Sequence, residues 1–213
     1  MTAGLLAACG TSDCEEPIDG ASYSTHYIQD YIDVDRLSVS GGNQNYIALT
    51  GEGTAISGAA LASYYKDTGY NSKIVPHSTK AISNPFTAID LTSDRDFDER
   101  HPAGTSLADI VYLAGASPND YIRSGYVSKP DWDDAPSVFG RYGFDWWYSS
   151  AKDTPIYLSL AEIGKYDLAL LNPLFFLVFE SQPASNSPHT MTLTITDDTG
   201  KNIVSVFDWP AKN

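Results

Sequence analysis

Apolar and polar positions alternate with a period of two along much of this chain, and that pattern predicts strands with one buried face. Between Ser22 and Val39, the residues Tyr23, Tyr27, Ile28, Tyr31, Ile32, Val34, Leu37 and Val39 are separated by polar ones. This predicts one or two strands, with Asp30, Asp33 and Asp35 toward solvent. Gly41-Gly42-Asn43 marks a turn, Tyr46 to Leu49 a further strand, and Gly51 to Gly58 a flexible connection. Ser57 to Lys66 predicts a short helix. Thr87, Ile89 and Leu91 alternate with Ala88, Asp90 and Thr92, again a strand. Ser106-Leu-Ala-Asp109 then has capping-box spacing, and Leu107, Ile110, Val111 and Ala114 share one helical face, so a short helix ending at Gly115 is expected.

From Gly115 to Ser137 the chain is rich in Pro, Gly, Ser and Asp without periodicity, and its length points to a functional loop. Phe144, Trp146 and Tyr148 alternate as the inner side of a strand would. Pro155 to Leu160 predicts a strand, Ala161 to Leu171 a short helical or irregular crossing, and Leu174 to Phe179 a fully buried strand. After a loop from Pro183 to Pro188, Met191, Leu193 and Ile195 alternate with threonines, turn at Asp197 to Gly200 and return through Ile203 to Trp209 as a hairpin. The expected fold is all-β (β-rich): one antiparallel immunoglobulin-like sandwich over residues 22–213, with one or two short helices.

Composition supports that class, because 14 Tyr and 16 Gly stand beside only 2 Met and 19% charged residues. The charge sharpens the choice of partner. A net charge of −14, from 13 Lys and Arg against 27 Asp and Glu with no basic block, removes nucleic acid and anionic membrane surfaces as partners. The surplus carboxylates read first as solubility.

The N-terminus supplies the address. Leu6-Ala7-Ala8-Cys9 resembles a bacterial lipobox, in which two small residues precede the cysteine that receives the diacylglyceryl group. Residues 1–8 then read as a truncated lipoprotein signal remnant, although neither Lys nor Arg precedes Cys9. Residues 9–21, with Asp13, Glu15 and Glu16, look like the acidic tether of Bacteroidetes-type surface lipoproteins. The resemblance implies a membrane anchor at Cys9 and an outer-membrane lipoprotein of the bacterial cell envelope, surface-exposed or periplasm-facing. Cys14 is left without a partner if Cys9 carries the lipid, and a Cys9–Cys14 bridge is the alternative.

Several patterns could carry chemistry. Asp94, Asp96 and Asp98 repeat the D-x-D-x-D opening of a calcium loop, yet Glu99 stands where such a loop needs Gly and Thr105 where it needs a bidentate Glu. A solvated acidic turn paired with Arg95 and Arg100 is the stronger reading, and calcium is the only cofactor suggested. Trp132, Trp146, Trp147 and Tyr148, with Asp145 among them, could stack on sugar rings while polar groups take hydroxyls. Core packing competes and is favoured. A glycosidase pair could be drawn from Asp133 or Asp134 with Glu180, but sequence fixes no separation. Ser63-x-x-Lys66 matches one motif of penicillin-recognising hydrolases without its K-T-G companion, and Asp198-Thr-Gly200 matches an aspartic-protease triplet in a turn context. His26, His77, His101 and His189 show no metal-binding spacing.

The stretch SDRDFDERHPAGTSLAD also resembles a segment of uncharacterised Bacteroidetes cell-envelope lipoproteins, a family of unknown function. That resemblance implies a β-rich envelope domain and transfers no catalytic residue. The functional expectation is a non-enzymatic binding or assembly module that meets a glycan or an envelope protein. Carbohydrate recognition is the runner-up and an envelope glycoside hydrolase the third reading.

Overall fold

Two β-sheets close on a shared apolar core in the computed structural model, which describes residues 23–73, 79–128, 130–148, 152–185 and 187–209. Cys9, Cys14, the acidic tether and His77 lie outside the described residues.

In chain order the elements are β1 (Tyr23–Ser24), β2 (Asp30–Gly42), β3 (Tyr46–Ser57), helix α1 (Gly58–Tyr65), β4 (Ser72–Lys73), β5 (Lys80–Ile82) and β6 (Phe86–Ser93). There follow β7 (Val111–Ser117), the short helices α2 (Asn119–Arg123), α3 (Ser137–Tyr142) and α4 (Asp145–Tyr148), and β8 (Thr154–Ser159). A 3₁₀ helix (Leu160–Lys165) leads to β9 (Leu174–Phe179), β10 (His189–Asp197) and β11 (Asn202–Trp209). One sheet has six strands in the order β5-β2-β3-β9-β7-β8; the second has three, β11-β10-β6; β1 and β4 form a separate pair. Neighbours run antiparallel except β2 and β5. The inner faces meet through Val34, Leu49, Leu113 and Leu177 on the large sheet and Leu91, Leu193 and Ile203 on the small one. Phe86 against Phe175 and Phe179 against Trp209 join the layers ring to ring.

The β-rich class is therefore shown, and four local expectations are corrected. Gly51 to Gly58 is not a flexible connection; up to Ser57 it completes the long strand β3, and Gly58 opens α1. A Cβ on Gly51 would meet the Val34 side chain at 2.9 Å and one on Gly53 the Asp33 carbonyl at 1.9 Å, so these glycines allow β2 to press onto β3 beside a bulge at Val34/Arg36.

The expected helix from Ser106 to Ala114 is absent. Leu107 N–H donates to Leu91 O, and Val111–Ser117 is a strand between β8 and β9. Because both of its faces are covered, β7 lacks polar alternation, and its near-continuous apolar run mimics a helical stripe.

The stretch from Gly115 to Ser137 is not one long loop. It holds the end of β7, all of α2 and the start of α3.

Finally, Phe144 and Tyr148 are buried with the four-residue spacing of a helix, not the alternation of a strand. With Phe139 they lay an aromatic layer over the outer side of the large sheet, where Phe144 stacks on Phe176 at 3.9 Å and 12° and the Tyr148 hydroxyl donates to Leu174 O at 2.6 Å.

A third apolar cluster joins Tyr27, Tyr31, Tyr65, Tyr70, Tyr121 and Tyr126. Buried Asp67 ties it together: its carboxylate accepts from Tyr27 N–H at 2.7 Å, Ile28 N–H at 2.8 Å and the Tyr126 hydroxyl at 2.8 Å.

Candidate functional site

Pairing in the large sheet puts Ala114 opposite Tyr157, so Tyr112, two residues earlier on the same side of β7, lies diagonal to Tyr157 of β8. Their rings stack at 5.0 Å and 12°, partly exposed, as the floor of a cleft of about 540 Å³. One wall comes from α3, which presents Ser137, Arg141 and Tyr142 and ends at Gly143, whose φ of 73° is the left-handed cap that halts the helix. The other wall is Glu180, Ser181 and Gln182 after β9, with Asn45 from the β2–β3 turn. Both segments are tied down: Phe179 N–H donates to Asn45 O at 2.9 Å, Glu180 N–H to Ile110 O at 2.9 Å, and Gln182 Nε2 to Asn45 Oδ1 at 3.3 Å.

The electrostatics keep the floor in its donor form. Burial raises the Tyr112 phenol above its ordinary value, and the Glu180 carboxylate adds to that; burial likewise raises Tyr157, with Tyr112 and Glu180 contributing and Arg141 opposing. Both hydroxyls are protonated at neutral pH. The cleft thus offers a flat apolar floor, donors from Arg141, Ser137 and the two phenols, and acceptors from Glu180 and Asn45. That combination suits a ring with one apolar face and a rim of hydroxyls.

The structure distributes the sequence-predicted aromatics differently. Trp132 is partly buried, packing on Phe139 at 5.5 Å and Tyr148 at 6.1 Å, and its Nε1 is buried without a hydrogen-bond partner among the described residues. Tyr148 is buried. Trp146 and Trp147, 89% and 65% exposed, face solvent on α4, where Asp145 Oδ1 accepts from Trp146 N–H at 3.0 Å. None of these residues lines the cleft, although α3, from the same stretch, forms its wall. Asp133 and Asp134 sit in an exposed turn and are not part of the cleft lining, so among the described residues Glu180 is the sole lining carboxylate and no glycosidase pair is assembled there.

The acidic corner is stapled to backbone. Asp94 Oδ1 accepts from Thr190 N–H at 2.7 Å, Asp96 Oδ1 from Ala103 N–H at 2.8 Å, and Asp98 Oδ1 from Arg100 N–H at 2.8 Å and His101 N–H at 2.9 Å. Buried His101 bridges Asp98 at 2.7 Å and Asp109 at 3.0 Å. Burial opposes ionisation of Asp98, but the His101 ring and the two amides hold its carboxyl below the usual range. Among the described residues no group of three or more His, Cys, Asp or Glu could hold a metal ion. His189 contacts Ser93 Oγ at 2.8 Å, far in the chain from His26. Ser63 is exposed on α1 and Lys66 caps that helix. In the Asp198-Thr-Gly200 turn it is Asp197 that accepts the Thr199 and Lys201 amides, at 2.9 and 3.0 Å.

Sequence reasoning missed Tyr112 and Tyr157. Tyr112 was hidden by the helical reading of β7, whereas Tyr157 stood in a correctly expected strand, on the side that alternation leaves outward; that was the available signal. No family model, curated protein or solved structure matches this chain.

Proposed function

We propose that this chain is a non-enzymatic binding module of the bacterial envelope, held at the outer membrane by lipid on Cys9, and that it takes a neutral saccharide in the cleft floored by Tyr112 and Tyr157. The observation that carries the ligand class is the parallel, partly exposed tyrosine pair flanked by Arg141, Glu180 and Asn45. The anchor rests on the lipobox resemblance at Cys9 and the acids that follow it. No helix among the described residues is long and apolar enough to cross a membrane. As the finer description of the fold we propose an immunoglobulin-like sandwich. Two layers with a common core support it, while the six-to-three division of strands and the parallel β5 edge depart from the seven-strand pattern.

Calorimetric titration with a panel of neutral oligosaccharides tests the ligand. Tyr157→Ala should weaken the best binder by about tenfold or more, roughly 1.4 kcal/mol, and Trp146→Ala should leave it within about twofold. An unchanged affinity in Tyr157→Ala sinks the reading. Release of reducing ends from the bound sugar would favour the hydrolase instead, and the intact mass of the native protein reports whether Cys9 carries lipid.

A further inference from the structure

A second and larger cleft, of about 980 Å³, opens between α1 and α2 and shares no lining residue with the first. Three tyrosines lead its lining, beside Pro85, Ile122 and Ala169: Tyr64, 71% exposed at the end of α1, meets Tyr65 edge-on at 4.8 Å, and Tyr126 is fixed by its hydrogen bond to buried Asp67. Its charge runs against the rest of the molecule. In a chain of net charge −14, the titratable groups on this lining besides the phenols are Lys66, Arg123 and Asp167, two cations against one carboxylate. Arg123 pairs with Asp167 at 2.8 Å, whereas Lys66 has no ion-pair partner among the described residues.

The backbone is strained at the same place. Among the described residues the non-glycine positions with positive φ are Lys66 at 61°, Tyr126 at 67° and Leu170 at 60°. Lys66 and Tyr126 line the cleft, and Leu170 follows its lining residue Ala169. Left-handed geometry is unfavourable for such side chains and persists where the surroundings fix it, and such positions cluster at active sites, ligand clamps and switch regions. At the end of α1 a glycine would satisfy the cap without strain, yet an exposed lysine stands there and lines the cleft.

We propose that this cleft is a second binding site, for an acidic saccharide whose ring lies on the exposed tyrosine faces and whose carboxylate is taken by Lys66, with Arg123 beside it. The assignment is independent of the first cleft. The tyrosine faces receive the apolar side of a sugar ring, the Lys66 ammonium and the Arg123 guanidinium receive the carboxylate, and Asn119 and Thr68 stand ready for hydroxyls.

The whole chain would be titrated calorimetrically with a galacturonic acid tetramer and with a galactose tetramer, at low and at high salt. The acidic tetramer should bind at least about tenfold tighter at low salt, and the preference should shrink as salt screens it. Lys66→Asn removes the charge with a residue that tolerates left-handed backbone, so the fold is kept; it should abolish the preference. Arg123→Gln should reduce it, Tyr64→Ala should weaken the acidic tetramer, and Trp146→Ala, which lines neither cleft, should leave its binding unchanged. Equal binding of the two tetramers once Tyr157→Ala has removed the neutral-sugar contribution of the first cleft, or a preference that survives in Lys66→Asn with Arg123→Gln, overturns the proposal. Loss of acidic binding in Tyr157→Ala would move the ligand to the first cleft, and an acidic peptide binding in place of the tetramer would overturn the saccharide class.

Discussion

The acidic corner between β6 and β7 and the aromatic stretch from Trp132 to Tyr148 carry the densest candidate chemistry in the sequence, and they end in opposite conditions. In the corner each of Asp94, Asp96 and Asp98 directs an oxygen at main-chain amides, so the side chains hold the turn closed. In the aromatic stretch the backbone closes its own short helices, leaving side chains to divide between a buried layer and solvent. Carboxylates near orphan amides are drawn into capping them, because an unpaired buried donor costs more than a solvated charge gains by staying free. Large rings have no such competing use, and those that miss the core remain available. The cleft lies against the second region for that reason.

The comparison is broken most severely by emptying the corner. Phe97, fully buried, packs between Phe179 and His189 and anchors the turn that the three aspartates staple. Phe97→Ala should cost about 3–5 kcal/mol in chemical denaturation, the range for deleting a buried phenylalanine. Saccharide affinity of the folded fraction should be unchanged. If binding falls in step with stability, the corner supports the site as well as the fold.

A smaller effect comes from Asp153, beside the aromatic layer, the carboxylate that escapes the rule. It is buried, Asn172 Nδ2 donates to its Oδ2 at 3.5 Å, and its Oδ1 has no hydrogen-bond partner among the described residues. Burial pushes its carboxyl up from 3.8 to about 6, with Asn172 opposing, and the Tyr27 and Tyr148 phenols face it. A raised value means that the folded chain keeps this proton to higher pH than the unfolded chain. Its cost to stability is therefore absent below about pH 4, grows as pH rises, and is complete above about pH 6. Asp153→Asn should stabilise the protein by up to ~3 kcal/mol at pH 7, with the gain vanishing near pH 4. Paired denaturant titrations at the two pH values would show it; a gain independent of pH would assign the effect to packing.

Sequence legibility followed the same division. Strands with one wet face were read correctly: β6, β10 and β11 alternate cleanly, and the turn at Asp197 to Gly200 carries its own signal. Elements covered on both sides were not. β7 passed for a helix because its burial hides its period, and Gly51 and Gly53 suggested flexibility where they mark two strands in close approach. The cleft was half legible. The stretch that builds its α3 wall stood out by its rings, and Glu180 was singled out as an acid, but the Tyr112–Tyr157 floor forms across a pairing between strands far apart in sequence.

The smallest expected effect is a null one, and it tests the corner directly. If Asp94, Asp96 and Asp98 closed on calcium, binding would add stability of RT ln(1 + [L]/Kd), about 1.4 kcal/mol at ten times the dissociation constant. To do so each carboxylate would have to turn its Oδ1 from the Thr190, Ala103, Arg100 and His101 amides it now accepts, and the turn would lose the bonds that shape it. Those amides already occupy the Oδ1 atoms that would otherwise have to converge on a cation. Melting temperature should accordingly be the same in chelator and in millimolar Ca²⁺. A rise that is lost in Asp96→Asn would show that the corner can exchange its staples for an ion, and the contrast with the aromatic stretch would fail.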